Sequence, residues 1–139
     1  MAGMAAAWWV VDSLKKVFPD SARPVDAGTR IALAAARNET EDAQVAIAVP
    51  ADRRVDKAAW EFSALKGPRG AAIPASALAA HWEWFVWVHA NPPQNADPAT
   101  YLRKAPAFFP DAFLEDRETG LRGGVTQPLW VSVAVPRDA

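Results

Sequence analysis

Apolar residues recur at every second position in several short stretches of the chain. Val45, Ile47 and Val49 alternate with other residues, and residues 128–136 alternate in the same way around Val131, Val133 and Val135. Because successive side chains of a β-strand point to opposite faces, this alternation predicts half-buried strands. Apolar or alternating patterns predict four more strands, at residues 8–12, 29–35, 59–65 and 81–89.

Proline and glycine separate these stretches and are dense over residues 91–124, which we predict to be an irregular connection. Structureless loops longer than about 12–15 residues are uncommon unless they are functional or disordered. No long helical pattern accompanies the six predicted strands. The sequence therefore predicts an all-β fold, an antiparallel β-sandwich, as a single domain over residues 8–139.

The strand at residues 81–89 is unusually aromatic. Alternation places one apolar set on the first face, which we predict to be core: Trp82, Trp84, Val86 and Val88. We expect Trp84 and Trp130 to belong to the core or to line it closely. The opposite face carries His81, Glu83, Phe85, Trp87 and His89. Three interpretations of that face remain open: a platform on which sugars stack, a surface that docks on another domain, or a second covered core. Packing against protein is favoured because large aromatic side chains mostly serve packing. Phe85 and Trp87 are the candidate carbohydrate-binding residues.

Charge and composition exclude several classes of protein. The chain has 15 basic and 16 acidic residues, with the basic ones scattered, so a nucleic acid partner is not expected. There is no cysteine for a disulfide or a thiolate metal site. No stretch has the roughly 20 apolar residues of a membrane span. No signal peptide is visible, so the expected location is cytoplasmic as the chain stands, or outside the cytoplasm if the natural start lies upstream.

Residues that would carry catalysis are not arranged for it. His81 and His89 lie on one predicted strand roughly 26 Å apart, too far to share a metal. There is no Gly-x-Ser-x-Gly elbow and no glycine-rich phosphate loop. The acidic groups around Glu39 and Glu115 are typical of solvated turns. We therefore expect no catalytic residue, no metal and no cofactor.

Four segments, in order, resemble one bacterial domain. They are Trp9-Val10-Val11-Asp12-Ser13-Leu14 with Val17-Phe18-Pro19-Asp20, then Ala35-Ala36-Arg37-Asn38-Glu39-Thr40-Glu41-Asp42-Ala43-Gln44-Val45, then Phe109-Pro110-Asp111-Ala112-Phe113-Leu114, and finally the stretch from Gln127 to Pro136. The chain resembles the N-terminal β-sandwich of proteins similar to glycoside hydrolase family 123, of the type called domain of unknown function 4091.

That resemblance implies a role without a reaction. In the family the sandwich precedes a (β/α)₈ barrel, whose adjacent Asp-Glu pair assists attack by the substrate's own N-acetyl group on a β-N-acetylgalactosaminide. This chain contains no Asp-Glu dipeptide and ends before a barrel, so no catalytic residue carries over. Arg37, Asn38 and Glu39 carry over only as a structural turn, in which Asn38 tolerates left-handed φ.

Three hypotheses of function follow. The first is a non-catalytic accessory module that braces a catalytic barrel absent from this chain. The second is a free-standing carbohydrate-binding module that uses Phe85 and Trp87, and the third is a truncated product without a role of its own. The resembled family continues past residue 139 with one more strand. We therefore expect a sandwich incomplete at its C-terminal end, which self-associates through the open edge of its last strand or a neighbour of that strand.

Overall fold

The computed structural model describes residues 6–91, 97, 99 and 101–138. Within that part the chain forms nine strands and two single-turn 3-10 helices, Pro68–Gly70 and Ala75–Ala77. The strands are β1 (Ala7–Asp12), β2 (Thr40–Ala48), β3 (Val55–Ala59), β4 (Leu65–Lys66), β5 (Ala72–Ile73), β6 (Leu78–Val88), β7 (Ala107–Phe113), β8 (Glu118–Leu121) and β9 (Thr126–Ala134). Every pairing between them is antiparallel. The predicted all-β, antiparallel fold is confirmed.

Five strands form the main sheet, in the order β1-β2-β9-β6-β7. Strands β3 and β8 pair as a second, smaller sheet, and β4 pairs with β5. Neighbours in the main sheet are mostly distant in sequence, as when Val45 of β2 lies opposite Leu129 of β9. The main sheet therefore contains strands from both ends of the chain.

One face of the main sheet packs against the β3–β8 sheet and forms the larger core. The buried residues there are Val49, Ala80, Trp82, Leu121, Leu129 and Val131, with Trp60 and Phe62 packed against them. The indole nitrogen of Trp82 donates to the carbonyl of Arg117 at 3.0 Å, which satisfies its one donor inside the core. This two-layer packing is sandwich-like.

The chain that follows β1 covers part of the opposite face. Val17 packs there against Trp9 and Ala46. Gln44, buried in β2, donates through its side-chain nitrogen to the carbonyls of Asp12 and Lys15, at 3.0 and 2.7 Å. An irregular segment is thereby fixed to the sheet by hydrogen bonds as well as by apolar contact.

Glycine is required at the turn between β8 and β9. A Cβ atom on Gly123 would overlap the carbonyl oxygens of Arg53, Ala51 and Pro50. The next residue, Gly124, has φ of +73° and donates its N–H to Val49 at 2.8 Å. This close approach fixes the turn against the chain that leads from β2 into β3.

The strand predictions have mixed outcomes. Those at residues 8–12, 45–49, 81–89 and 128–136 match β1, β2, β6 and β9 to within two residues at most boundaries. The prediction at 29–35 is wrong: the segment has no strand pairing, and its alanines offer little side chain to bury beyond Ile31, which touches the larger core. The prediction at 59–65 is also wrong as a strand, although Trp60 and Phe62 do pack together, with ring centroids 5.3 Å apart.

The connection predicted to be irregular contains two strands, β7 and β8, and β3 was missed as well. Its residues 92–96, 98 and 100 lie outside the described residues. Strand β7 includes Pro110, which occurs where the ladder with β6 shifts register. Proline is tolerated at such irregularities because no ladder donor is required there.

The prediction of an unpaired C-terminal strand is wrong. Strand β9 lies in the interior of the main sheet, between β2 and β6, and both neighbours are themselves paired on two sides. The outer strands are β1 and β7. Self-association through a β9 edge therefore has no structural basis.

In the described part of the chain, no helix has the length and hydropathy needed to cross a bilayer.

Candidate functional site

A groove of about 690 Å³ lies between the main sheet, at β6 and β7, and the smaller β3–β8 sheet. Its lining includes residues of all four strands and of the turn that leads into β9. Grooves that bind small molecules commonly have volumes of about 300–1,000 Å³. This concavity is therefore a candidate site for a small molecule.

Aromatic side chains form one wall of the groove. They are Trp84 and Phe85 of β6, between which the register with β7 shifts, and Phe108 of β7. Trp84 follows the buried Trp82 on the same face of the strand, but 54% of its surface is exposed. On that face, Ala80 and Trp82 pack in the larger core, whereas Trp84 lines the groove.

This arrangement corrects the prediction that the whole first face of β6 is core. Ala80 and Trp82 are buried, whereas Trp84 and Val86 are exposed. Trp130, also predicted to belong to the core or to line it closely, is half-buried on the other face of the sheet and packs against Phe113, with centroids 5.6 Å apart. The alternation of the strand was predicted correctly, but the extent of its covering layer was not.

Polar side chains line the remaining walls. Arg54 and Asp56 form an ion pair beside β3, with a nitrogen–oxygen distance of 2.5 Å, and both side chains are largely exposed. Arg122 also lines the groove; its carbonyl accepts the N–H of Val125 at 3.3 Å, whereas its side chain makes no hydrogen bond or ion pair with the described residues. Gln127 of β9 lies at the groove with its side-chain nitrogen bonded to the carbonyl of Glu83. The groove thus offers both donors and acceptors near an aromatic wall.

The two candidate carbohydrate-binding residues are separated. Phe85 is half-buried and lines the groove. Trp87 does not line it, but packs edge-on against Phe108 with centroids 4.8 Å apart. Its indole N–H donates to Nδ1 of His89 at 3.2 Å, so part of this side chain is already engaged within the protein.

Arg37, Asn38 and Glu39 form a turn next to the end of β9. Asn38 has φ of +64°, in the left-handed region that asparagine tolerates better than most residues. The carboxylate of Glu39 accepts the N–H of Ala36 at 2.8 Å, and the N–H of Asn38 donates to the carbonyl of Val135 at 2.9 Å. Arg37 is exposed. The geometry is that of a structural turn.

Glu83 is a buried carboxyl group on the face of β6 opposite Trp84. Only 5% of the residue is exposed, and Oε1 has no hydrogen-bond partner in the described part of the chain. Burial raises the pKa of Glu83 to about 7, and the positive charge of Lys16 opposes that rise. Lys16 donates to the carbonyl of Pro110 at 2.8 Å and lies 3.8 Å from the carboxylate of Asp111. Glu83 is absent from the groove lining.

A second concavity, of about 680 Å³, is less suited to a ligand. It lies at Trp60 and Arg117, and three acidic residues also line it: Glu61, Asp116 and Glu118. The guanidinium of Arg117 lies 4.6 Å from the centre of the Trp60 ring and donates to the carbonyl of Trp60. The aromatic face is therefore already covered by protein. No group of three or more metal-ligating side chains is found among the described residues.

Sequence reasoning missed most of the groove. Trp84 was assigned to the core, and Arg54, Asp56 and Arg122 come from segments in which no strand was predicted. For Trp84 the signal was the density of aromatic residues, four within residues 82–87, which is more than one strand usually buries. The polar residues carry no such signal, since Arg122 comes beside Arg54 and Asp56 only through the pairing of β3 with β8.

No known sequence family matches the chain, and no curated protein is significantly similar to it in sequence. Among solved structures it is similar to a family 123 glycoside hydrolase from Clostridium perfringens, a structure that details glycolipid glycan hydrolysis, with a TM-score of 0.67 and 10% identity. The match covers 97% of this chain and 22% of that one. At this identity the likeness is one of fold: this chain has the fold of part of a family 123 glycoside hydrolase.

Proposed function

We propose that this protein is a non-catalytic accessory β-sandwich of a carbohydrate-active protein, and that it braces a catalytic domain. The observation that carries the proposal is the match over 97% of this chain to only 22% of a glycoside hydrolase. A segment of that size in a larger enzyme leaves most of the enzyme for other structure. The four sequence segments that resemble the N-terminal sandwich of family 123-like proteins agree with this role.

The chemistry of the groove supports a role without catalysis. Glycoside hydrolysis generally uses two carboxyl groups placed on either side of the scissile bond. The groove lining has one carboxylate, Asp56, and its charge is balanced by Arg54 at 2.5 Å. Glu83, the carboxyl group whose raised pKa resembles that of a general acid, lies on the opposite face of β6. The two groups do not face a common substrate position.

An activity assay tests the catalytic part of this proposal. We expect purified protein to release no chromophore from aryl N-acetyl-β-galactosaminides or N-acetyl-β-glucosaminides above the rate of a buffer blank. The Asp56→Asn variant serves as a matched control for contaminating enzyme, because contamination would give equal rates in both preparations. Turnover that exceeds the blank and falls in Asp56→Asn would refute the non-catalytic role.

A second experiment tests the accessory part. An antibody against this domain is used to follow it through native size-exclusion fractions of the source cells. We expect the antigen to elute with β-N-acetylhexosaminidase activity, at a mass well above the 15.0 kDa of this chain. Elution at 15.0 kDa and away from that activity would contradict a bracing role.

A further inference from the structure

We infer that the groove between the main sheet and the β3–β8 sheet is a glycan-binding site in which Trp84 stacks against a neutral pyranose ring. The choice of a sugar rests on the proposed function, whereas the choice of the site rests on the groove itself. A sugar ligand is thereby added to the bracing role. The aromatic platform is Trp84, whereas the sequence alone had indicated Trp87.

The first argument is the exposure of Trp84. A tryptophan buries about 150–250 Å² when it is fully packed, and leaving half of one in solvent forgoes much of that stabilisation. In this protein Trp84 is 54% exposed, while Trp82 on the same face is buried. Phe108, 47% exposed, lines the same groove. Two large exposed aromatic rings along one concavity mark a surface that binds something.

The second argument is the polar complement of that wall. Pyranose hydroxyl groups both donate and accept hydrogen bonds, so a sugar site needs side chains of both kinds within reach of a ring stacked on an aromatic face. Asp56 supplies acceptor oxygens, and the guanidinium groups of Arg54 and Arg122 supply donors. Arg54 and Asp56 are ion-paired, and both side chains remain largely exposed. These charged groups and the aromatic residues line the same groove.

The volume and openness of the groove set the size of the sugar that fits and the affinity that we expect. A groove of about 690 Å³ accommodates a mono- or disaccharide. It is open to solvent, and the described residues supply few fixed polar contacts beyond the three charged side chains. We therefore expect weak binding, with Kd in the millimolar range.

Binding is measured by titrating the isotopically labelled full chain with methyl β-glycosides of galactose, glucose, N-acetylgalactosamine and N-acetylglucosamine, and with lactose and N,N′-diacetylchitobiose. The indole N–H resonances of the seven tryptophans report the position of the sugar. We expect the Trp84 resonance, identified by its loss in Trp84→Phe, to shift saturably with at least one sugar.

Three variants complete the test. Trp84→Ala should weaken binding by at least about tenfold, and Trp84→Phe should retain most of it because the ring remains. Trp8→Ala is the matched control, since Trp8 is a tryptophan of similar exposure, 45%, on the distant outer strand β1, and it should bind as the parent chain does.

Several results would overturn the inference: no saturable shift with any of these sugars, a shift centred on Trp87 instead, or unchanged affinity in a folded Trp84→Ala protein. These results leave the bracing role standing, because that role is judged by hydrolase assays and co-elution. Conversely, hydrolysis by the pure chain would refute the non-catalytic role without bearing on the platform.

Discussion

Replacement of Glu83 by glutamine tests whether the buried carboxyl group on strand β6 destabilises the folded protein when it is charged. Glu83 is 5% exposed, and its Oε1 has no partner among the residues that the structure describes. The charged form of such a group is costly because nothing replaces the water that it loses on folding. Glutamine has nearly the same shape and is neutral at every pH, so the substitution removes the charge and little else.

The expected magnitude follows from the pKa of Glu83. Its ordinary value is 4.5, and burial raises it to about 7 in the folded protein. A difference of about 2.5 units corresponds to about 3 kcal/mol between the protonated and the charged protein, at 1.36 kcal/mol per unit. Because the folded state binds the proton more tightly, this contribution is fully present below pH 4.5 and is lost as the pH rises through about 7.

One neighbouring charge acts on the pKa of Glu83. Lys16 is the positive charge that favours the ionised form of Glu83, and Asp111 lies beside Lys16. His81 lies two positions before Glu83 on the same face and stacks on Phe113 with centroids 5.6 Å apart. Lys16→Met should therefore raise the pKa of Glu83 and move the loss of stability to higher pH. His81→Asn separates any contribution from the imidazole.

The measurement is urea unfolding followed by tryptophan fluorescence at a series of pH values from about 4 to 8.5, which span the ordinary and the raised pKa of Glu83. We expect Glu83→Gln to match the parent chain at the acidic end and to exceed its stability by about 2–3 kcal/mol at the basic end. The control, Glu115→Gln, removes an exposed carboxylate and should follow the parent at every pH. A parent stability that is flat across this range, or a glutamine variant with the same pH slope as the parent, would show that Glu83 is ionised without penalty.

Two further predictions concern the core and the β8–β9 turn. Trp82→Ala should lower the free energy of unfolding by about 3–5 kcal/mol, while Trp84→Ala should lower it by only about 1–2 kcal/mol, because one side chain is buried and the other borders the groove; equal losses in denaturant melts would contradict the groove assignment. Gly123→Ala should destabilise by about 2 kcal/mol or more, since the added methyl meets three carbonyl oxygens, whereas Gly28→Ala, with its nearest atom 4.0 Å away, should be close to neutral. Similar thermal midpoints for the two glycine variants would show that the turn adjusts freely.

Alternation of apolar residues correctly predicted the strands that bury a row of apolar side chains of their own. In β2 and β9, alternating Val45, Ile47, Val131 and Val133 face the larger core or its margin, and both strands lie where the alternation places them. Strands β3 and β8 are short and mainly polar outside the core contacts of Val55, Ala58 and Leu121. Their pairing depends on a partner about sixty residues away, which a local pattern cannot reveal.

The site was harder to predict than the fold for a related reason. Alternation along β6 correctly separates Trp82, in the larger core, from His81, which stacks on Phe113. It does not say how much of each face another layer covers. That extent depends on the second layer: Ala80 and Trp82 pack in the larger core with Leu121 of β8, whereas Trp84 lines the groove. The β3–β8 sheet also brings Arg54 and Asp56 to the aromatic wall. A short second layer therefore exposes the aromatic ring and supplies the polar groups beside it, so the groove is a consequence of incomplete coverage of one strand.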